Sequence, residues 1–446
     1  MNIQLPKSVE EILAKFQKKG FEIYIVGGAV RDIVMGKLTN DWDMTTNAKP
    51  EEILDIIEGG LYNNEFGTVF SPNSDDPDRP HEITTFRKEE GYSDLRHPDK
   101  ITWGKTLKED LSRRDFTINA MALKGSELID LFDGQKDIKT KTVKTVGDAD
   151  ERFSEDALRM MRAIRIAAEL GFIIEKKTLE AIKNNASLIN KIAKERVKEE
   201  LFKLISSPYP YDGMLLLRSS GLMAEILPEL EKCFGVEQKS PGRHHIYDVG
   251  THLFVSLKSC KSQDPVVRFA TLIHDIGKPQ TYRKLENGTI TFYNHEVVSN
   301  KIARNISDRL RLSNNEKEKL IKLVQFHQFT VDERQTDSAI RRFIKNVGLE
   351  NVKDMLALRV ADRLGGGARE TSWRLEEFKK RLVEVQKQPF AVKDLKIDGN
   401  DVMKTLNLKP GPKIGEILEK IFEEVVAKKI PNERGPLLKR IGVLVQ

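Results

Sequence analysis

The stretch 21–46, FEIYIVGGAVRDIVMGKLTNDWDMTT, settles the class of fold. Phe21, Ile23 and Ile25 alternate with other residues, which is the two-residue period of a strand. Gly27-Gly28 then breaks the run, and AVRDIVMG continues as a helix before NDWDMTT returns to strand. Further strands are expected in EITTFR (82–87) and INAMALK (118–124). Between them and the opening motif, NAKPEEIL starts a helix, with Pro50, Glu51 and Glu52 in its first turn. This mixed region runs to about Gly147. From Ser154 the chain reads as almost wholly helical, beginning with SEDALRMMRAIRIAAEL, where Leu158, Met161, Ile164 and Ala168 form an apolar stripe. The expected class is therefore α+β, a small mixed head followed by helical regions.

The rest of the chain sets the bounds. Its 446 residues suggest about three domains or more. With 39% hydrophobic and 32% charged residues it reads as globular, not collagen-like or disordered. No apolar run reaches the roughly 18 residues of a membrane helix, and the start lacks the shape of a signal peptide. The two cysteines, Cys233 and Cys260, exclude a disulfide framework, so a cytoplasmic setting is expected. Net charge is +6, and residues 371–446 carry 16 Lys/Arg against 11 Asp/Glu, or +5 of it. A basic tail suits a polyanionic partner. The Pro/Gly/His-rich KSPGRHHIYD near Ser240 marks a boundary. The expected organisation is 1–147, 148–239, 240–370 and 371–446.

The chemistry starts at Asp41-Trp42-Asp43. On a strand, alternate residues share a face, so the two carboxylates point one way and Trp42 points into the core. Mg²⁺ is commonly held by one or two carboxylates together with substrate phosphates. A pair of such ions activates an attacking hydroxyl and steadies a departing pyrophosphate. Gly27 and Gly28 let backbone N–H groups approach a triphosphate, and Arg31 adds charge. Glu82 is a candidate third carboxylate. At the start of the long helix, Asp156 and Arg159 are i,i+3 neighbours. A carboxylate accepts from the exocyclic amine of C or A, and a guanidinium donates to the adjacent ring nitrogen; U and G present the reverse order. Arg162 and Arg165 continue at spacing three towards the triphosphate.

In order along the chain, VGGAVRD, DWD, RRDFTINAMA, EDALRMMRAIR and AKERVKEEL resemble the bacterial-type tRNA nucleotidyltransferases, the CCA-adding enzymes. The resemblance covers essentially the whole chain. It implies a polymerase-beta-like α/β catalytic head followed by all-helical neck, body, HD and tail regions. It implies template-independent addition of CCA to tRNA from CTP and ATP, with Mg²⁺ at Asp41 and Asp43. Nucleotide contacts carried over are Gly28, Arg31, Arg114, Asp156, Arg159, Arg162 and Arg165. Asp115 resembles the group that reads the ribose 2′-hydroxyl. Trp42 departs from the smaller residue usual between the two aspartates. Residues 86–110 read as strand end, polar loop and return, and resemble the flexible loop needed to switch from C to A, which favours complete CCA addition, or A addition alone, over CC addition. The C-terminal helices, with Lys413 between Gly411 and Gly415, resemble those that grip the tRNA elbow. Adding A alone, poly(A) synthesis, and an HD-containing signalling nucleotidyltransferase are the alternatives.

A third constellation is built on histidine. Six of the eight histidines fall between His244 and His327. His252, His274-Asp275 and Asp362 occur in the order H…HD…D, with His295 and His327 between, a donor set suited to a divalent transition metal. This resembles an HD phosphohydrolase domain and implies hydrolysis of nucleotide 2′- or 3′-phosphates at those four ligands.

Overall fold

A computed structural model describes residues 5–62, 67–92, 99–238, 246–329, 331–332, 334–386, 392–427 and 429–443. The head is built on nine strands: β1 Ile23–Val26, β2 Asp43–Thr46, β3 Leu61–Tyr62, β4 Thr68–Ser71, β5 His81–Thr85, β6 Arg87–Glu90, β7 Lys100–Trp103, β8 Met121–Lys124 and β9 Glu127–Asp130. Seven of them form one sheet in the order β3-β4-β5-β2-β1-β8-β9, in which only the β2–β5 pair is parallel. All four residues of β1 are buried because both faces of the sheet are covered. Ile23 and Ile25 join Val9, Ile12 and Phe16 of the helix Lys7–Lys18, whereas Tyr24 and Val26 join Phe86, Leu107 and Leu111 on the other face. Burying each such side chain is worth about 1.5–3 kcal/mol.

The glycine turn after β1 is sterically required. Gly27 has φ 75° and ψ −140°, a conformation open essentially to glycine alone. A Cβ there would lie 3.3 Å from Arg114 Nη1 and 3.5 Å from Asp43 Oδ2. The helix Gly28–Val34 follows, and Pro50–Ile56 is the helix expected from its proline and acids. Trp42 is buried among Ile25, Val30 and Met44.

Three details differ from the sequence reading. β2 begins at Asp43, so Asp41 precedes the strand and is exposed. Residues 86–110 are more regular than a strand end, polar loop and return: β6 and β7 pair antiparallel over four residues each, Arg87 opposite Trp103, while 93–98 lie outside the described residues. The long helix does not start at Ser154. One helix, Ala149–Glu155, stops, Asp156 lies extended at φ −138°, and a second runs Leu158–Leu170.

The helical part is interrupted by two two-residue ladders, Thr142–Val143 with Ile173–Ile174 and Arg283–Lys284 with Ile290–Thr291. One continuous apolar cluster extends from Phe116 to Ala361 and so spans the neck, the body and the histidine block. The tail has its own core, in which Leu395, Ile397, Val402, Ile417, Ile421, Val425, Leu437 and Ile441 meet. The boundary expected at residues 239–245 lies outside the described residues. Among the described residues no helix is long and apolar enough to cross a membrane.

Candidate active sites in the head and the helical block

In the head, parallel pairing sets Asp43 of β2 opposite Glu82 of β5. The Asp43 carboxyl is pushed up to about 6, first by burial and then by the charges of Asp41 and Glu82, with Arg114 opposing. Glu82 is raised too, by desolvation and by Asp41. Asp43 and Glu82, each raised by burial and by the neighbouring charge of Asp41, form a site short of positive charge.

Arg114 faces these acids at the glycine turn, and the other candidate cationic side chains are each tethered. Arg31 donates from Nη1 to Asn119 Oδ1 at 3.0 Å and from Nε to Asp32 Oδ1 at 2.9 Å. Arg114 donates to Asp110 Oδ2 at 3.3 Å, and Arg113 donates to Asp110 Oδ1 at 2.6 Å. Asp110 is fully buried; burial opposes its charge, yet Arg113 and Arg114 hold its carboxyl below the usual range. Asp115 Oδ2 accepts from Arg162 Nε and Nη2 at 2.9 and 2.6 Å, while its Oδ1 accepts from the Phe116 N–H at 2.9 Å. Against burial, the Arg162 guanidinium takes that carboxyl down to about 2.

Asp156 and Arg159, expected to read the base, are arranged differently from the i,i+3 expectation, because the helix breaks at Asp156. Asp156 Oδ1 accepts from the Leu158 N–H at 2.9 Å and Oδ2 accepts from Arg196 Nη2 at 2.9 Å. Arg159 instead donates to Glu155 Oε2 at 2.5 Å and to the Arg113 carbonyl at 3.2 Å. Arg165 is held by Glu200 and Glu169, both at 2.6 Å. Asp110, Asn119, Glu155, Arg196 and Glu200 are therefore the partners that hold the candidate site residues, and sequence reasoning missed them. Asp110 had a signal, since it precedes Arg113 and Arg114 at helical i,i+3 and i,i+4 spacing. Arg196 sits within AKERVKEEL but nothing local ties it to Asp156, 40 residues away.

The histidine block closes as a compact cage. His252 lies on the helix Val249–Ser259, His274-Asp275 follow Pro265–Ile273, His295 starts His295–Arg309, His327 ends Asn314–Phe326, and Asp362 lies on Val352–Gly365. Glycines allow the close approach. A Cβ on Gly365 would collide with Ser256 Oγ, and one on Gly277 would lie 2.5 Å from the His295 carbonyl. His252 Nε2, His274 Nε2, Asp275 Oδ2 and Asp362 Oδ1 are separated by 3.3–3.5 Å in the five measured pairs. Donors at that spacing surround a point about 2.0–2.1 Å from each, the length of a bond from a zinc-like cation to N or O. His274 Nδ1 is 2.8 Å from the Thr271 carbonyl, which keeps a proton on Nδ1, so that once the ring is neutral Nε2 is the nitrogen that can ligate a metal. Burial lowers the His274 imidazole's proton affinity, but Asp275 and Asp362 more than compensate and push it up to about 10. The donor set fits a divalent transition metal.

In the tail, Lys413 lies in the first turn of the helix Pro412–Val426, directly after Gly411, and Gly415 has open space where a Cβ would stand.

Three sequence profiles match the chain: the Poly A polymerase head domain over residues 23–144, the RNA and SrmB binding site of polymerase A over 171–234, and tRNA nucleotidyltransferase domain 2 over 289–441. The chain is 34% identical over 435 residues to the CCA-adding enzyme of Lactococcus lactis subsp. lactis, covering 96% of this chain and 95% of that one. It is 33% identical over 449 residues to the CCA-adding enzyme of Limosilactobacillus fermentum, covering 98% and 96%. Its fold is similar to the crystal structure of Bacillus stearothermophilus CCA-adding enzyme in complex with CTP, with a TM-score of 0.73, 26% identity, and coverage of 99% and 98%. The Thermotoga maritima CCA-adding enzyme complexed with tRNA-CCA shares the fold at a TM-score of 0.63 and 20% identity, over 100% of this chain and 97% of that one.

Proposed function

Because the chain belongs to the CCA-adding enzymes, we propose that it completes tRNA 3′ ends, transferring CMP twice and AMP once from CTP and ATP and releasing pyrophosphate. The observation that carries this reading is the acid cluster of the head, Asp43 opposite Glu82 with Asp41 alongside and Arg114 next to the glycine turn. Asp41 and Asp43 would hold Mg²⁺, which supplies positive charge at the α-phosphate and eases ionisation of the attacking hydroxyl. The crowding of negative charge at Asp43 and Glu82 beside Asp41 is the fit such an ion requires.

The protein's own groups do the rest. The tRNA 3′-hydroxyl oxygen bonds to the α-phosphorus, and the bond to the pyrophosphate oxygen breaks. Backbone N–H groups at Gly28, with Arg31 and Arg114, receive the triphosphate, and Asp110 keeps Arg114 at the turn. Asp115, clamped by Arg162, accepts from the ribose 2′-hydroxyl. Asp156 accepts from the exocyclic amine of C or A and Arg159 donates to the ring nitrogen, which removes the need for a nucleic-acid template. Arg165, held by Glu200 and Glu169, supports that helix. The β6–β7 hairpin favours complete CCA addition, or addition of A alone, over addition of CC only. Residues 371–446 would hold tRNA, whose metabolism places the work in the cytoplasm.

Labelled CTP and ATP offered to tRNAs lacking CCA, ending in one C, or ending in two, test the proposal. Extension of all three to CCA supports it. Extension of the last alone makes the protein an A-adding enzyme, and long A tails on any RNA make it a poly(A) polymerase.

A second reading rests on a separate observation, the convergence of His252, His274, Asp275 and Asp362 in the helical block. These residues would hold a transition metal and support hydrolysis of ribose 2′- or 3′-phosphates, clearing damaged tRNA ends before C is added.

A further inference from the structure

Guanidinium groups gather where the histidine block meets the start of the tail. The helix Trp373–Gln386 buries Phe378, Leu382 and Val385, at spacings of four and three, with Ile340 and Ile344 of the helix Asp337–Val347. Trp373 falls off that stripe, five residues before Phe378, and stands 62% exposed. The helix Val352–Gly365 presents Arg359 and Arg363 on one face at i,i+4. The Arg359 guanidinium lies 5.5 Å from the centroid of Phe329, which packs on Phe343 at 4.6 Å and on Phe378 at 5.4 Å, so an aromatic floor holds it. The Arg374 guanidinium lies 5.3 Å from the Trp373 ring. Arg359, Arg363, Trp373 and Arg374 line one cavity of about 290 Å³, with Val331 and Ser372 in its walls. The described carboxylates nearby are already engaged. Asp362 accepts from Arg359 Nη1 at 3.2 Å and also serves the histidine cage, Asp332 is held by Arg334 at 2.8 and 3.1 Å, and Glu370 by Lys261 at 2.7 Å. Arg363 donates from Nε to the Arg369 carbonyl at 3.3 Å and makes no ion pair among the described residues.

We propose that this cavity is a nucleotide-binding site separate from that of the head, with a phosphate seated among Arg359, Arg363 and Arg374 and its base stacked on the exposed Trp373 indole. Guanidinium forks match the oxygens of a phosphate, and three of them around one cavity lose their mutual repulsion when an anion enters. An exposed indole offers a flat face to any base, so the site selects nucleotides as a class and not one base among them. A phosphate without a base would leave that indole in water. The inference goes beyond nucleotide addition, which uses the glycine turn and arginines of the head, and beyond a tail that grips folded tRNA, which needs no unstacked base. It stands whether or not the histidine block hydrolyses phosphate esters. A free nucleotide and an unpaired stretch of RNA present the same phosphate and base, and no bond is made or broken on either.

The test uses full-length protein carrying 5-fluorotryptophan, whose three fluorine resonances, from Trp42, Trp103 and Trp373, are assigned with single Trp→Phe variants. It is titrated in chelator, so that no metal site contributes, with AMP, with adenosine and with a short oligo(A) that has no duplex for the tail to grip. The proposal expects a saturable shift of the Trp373 resonance with AMP or oligo(A). Affinity should be about tenfold or more weaker for adenosine, which lacks the phosphate, and weaker by a similar factor for the charged ligands in Arg363→Gln/Arg374→Gln. A response to AMP as strong as to oligo(A) supports the site with free nucleotides as its source, and a response to oligo(A) alone supports it with RNA. A Trp373 resonance that none of the three moves, an equal response to adenosine, or an unchanged affinity in the arginine variant overturns the proposal. The parent titrations decide the matter even where the variant fails to fold, which the Trp42 resonance and the melting temperature identify. Addition of C and A by the same preparation is read separately on gels, so failure of this site is distinct from failure of the head.

Discussion

At Asp43, burial and function oppose each other. Its carboxyl sits at about 6 in place of 3.8, so between those values the folded chain holds a proton that the unfolded chain releases. Stability therefore falls as pH rises through that window and stays lowered above it. Asp43→Asn should abolish nucleotide addition yet stabilise the head at pH 7.5 by about 2–3 kcal/mol, a gain that fades as pH approaches 4. Thermal melts at the two pH values check this; an Asn variant that melts no higher at pH 7.5 refutes the strain. The same titration predicts that the Mg²⁺ needed for half-maximal addition climbs as pH drops below about 6. Arg196 gives a second residue-scale expectation, since it holds the oxygen of Asp156 assigned to the base. Arg196→Ala should raise misincorporation of UTP and GTP by about tenfold with only a modest rise in KM for CTP, whereas a merely structural arginine would lower stability without altering selectivity.

At the scale of single elements, the sequence was readable wherever one local rule acted alone. The β1 alternation, the glycine turn and the Pro50–Ile56 helix all appear where their residues put them. The apolar stripe Leu158, Met161, Ile164 and Ala168 is buried as expected. What the pattern concealed was the break at Asp156, because helical periodicity runs through it and only the side chain's bond to the Leu158 N–H reveals a new helix start. For the same reason the pairing of Asp156 with Arg196 was invisible, being a contact between helices. The β6–β7 hairpin was legible as a strand end, polar loop and return, but its polar composition hid the extent of the pairing. Replacing residues 88–102 with a short turn should leave addition of both C residues within a few-fold of the parent while stopping before A. Gel analysis of the products decides it; normal A addition would remove the hairpin from the switch.

Over the whole molecule, the separate core of the tail makes residues 392–443 a detachable module. Ending the chain at residue 391 should leave the head's melting transition unchanged and weaken tRNA binding by about tenfold or more. The salt dependence of binding should become shallower, since lost Lys and Arg contacts no longer displace counterions. Equilibrium binding at two salt concentrations measures both. The histidine donors were legible as a list from the sequence, but their closure into one cage was not, because five separate helical segments supply them.

The continuous cluster from Phe116 to Ala361 also has a consequence for the birth of the protein. The ribosome delivers sequence in order, at roughly 5–20 residues per second. The head sheet is complete once Asp130 has emerged, but the apolar faces of the following helices wait for partners as far on as Ala361. The 231 residues from Leu131 to Ala361 correspond to roughly 12–46 seconds of translation in which a finished head is followed by an unfinished, sticky helical chain. Nascent chains arrested near residue 300 should show a protease-resistant head and a chaperone-bound, protease-sensitive remainder.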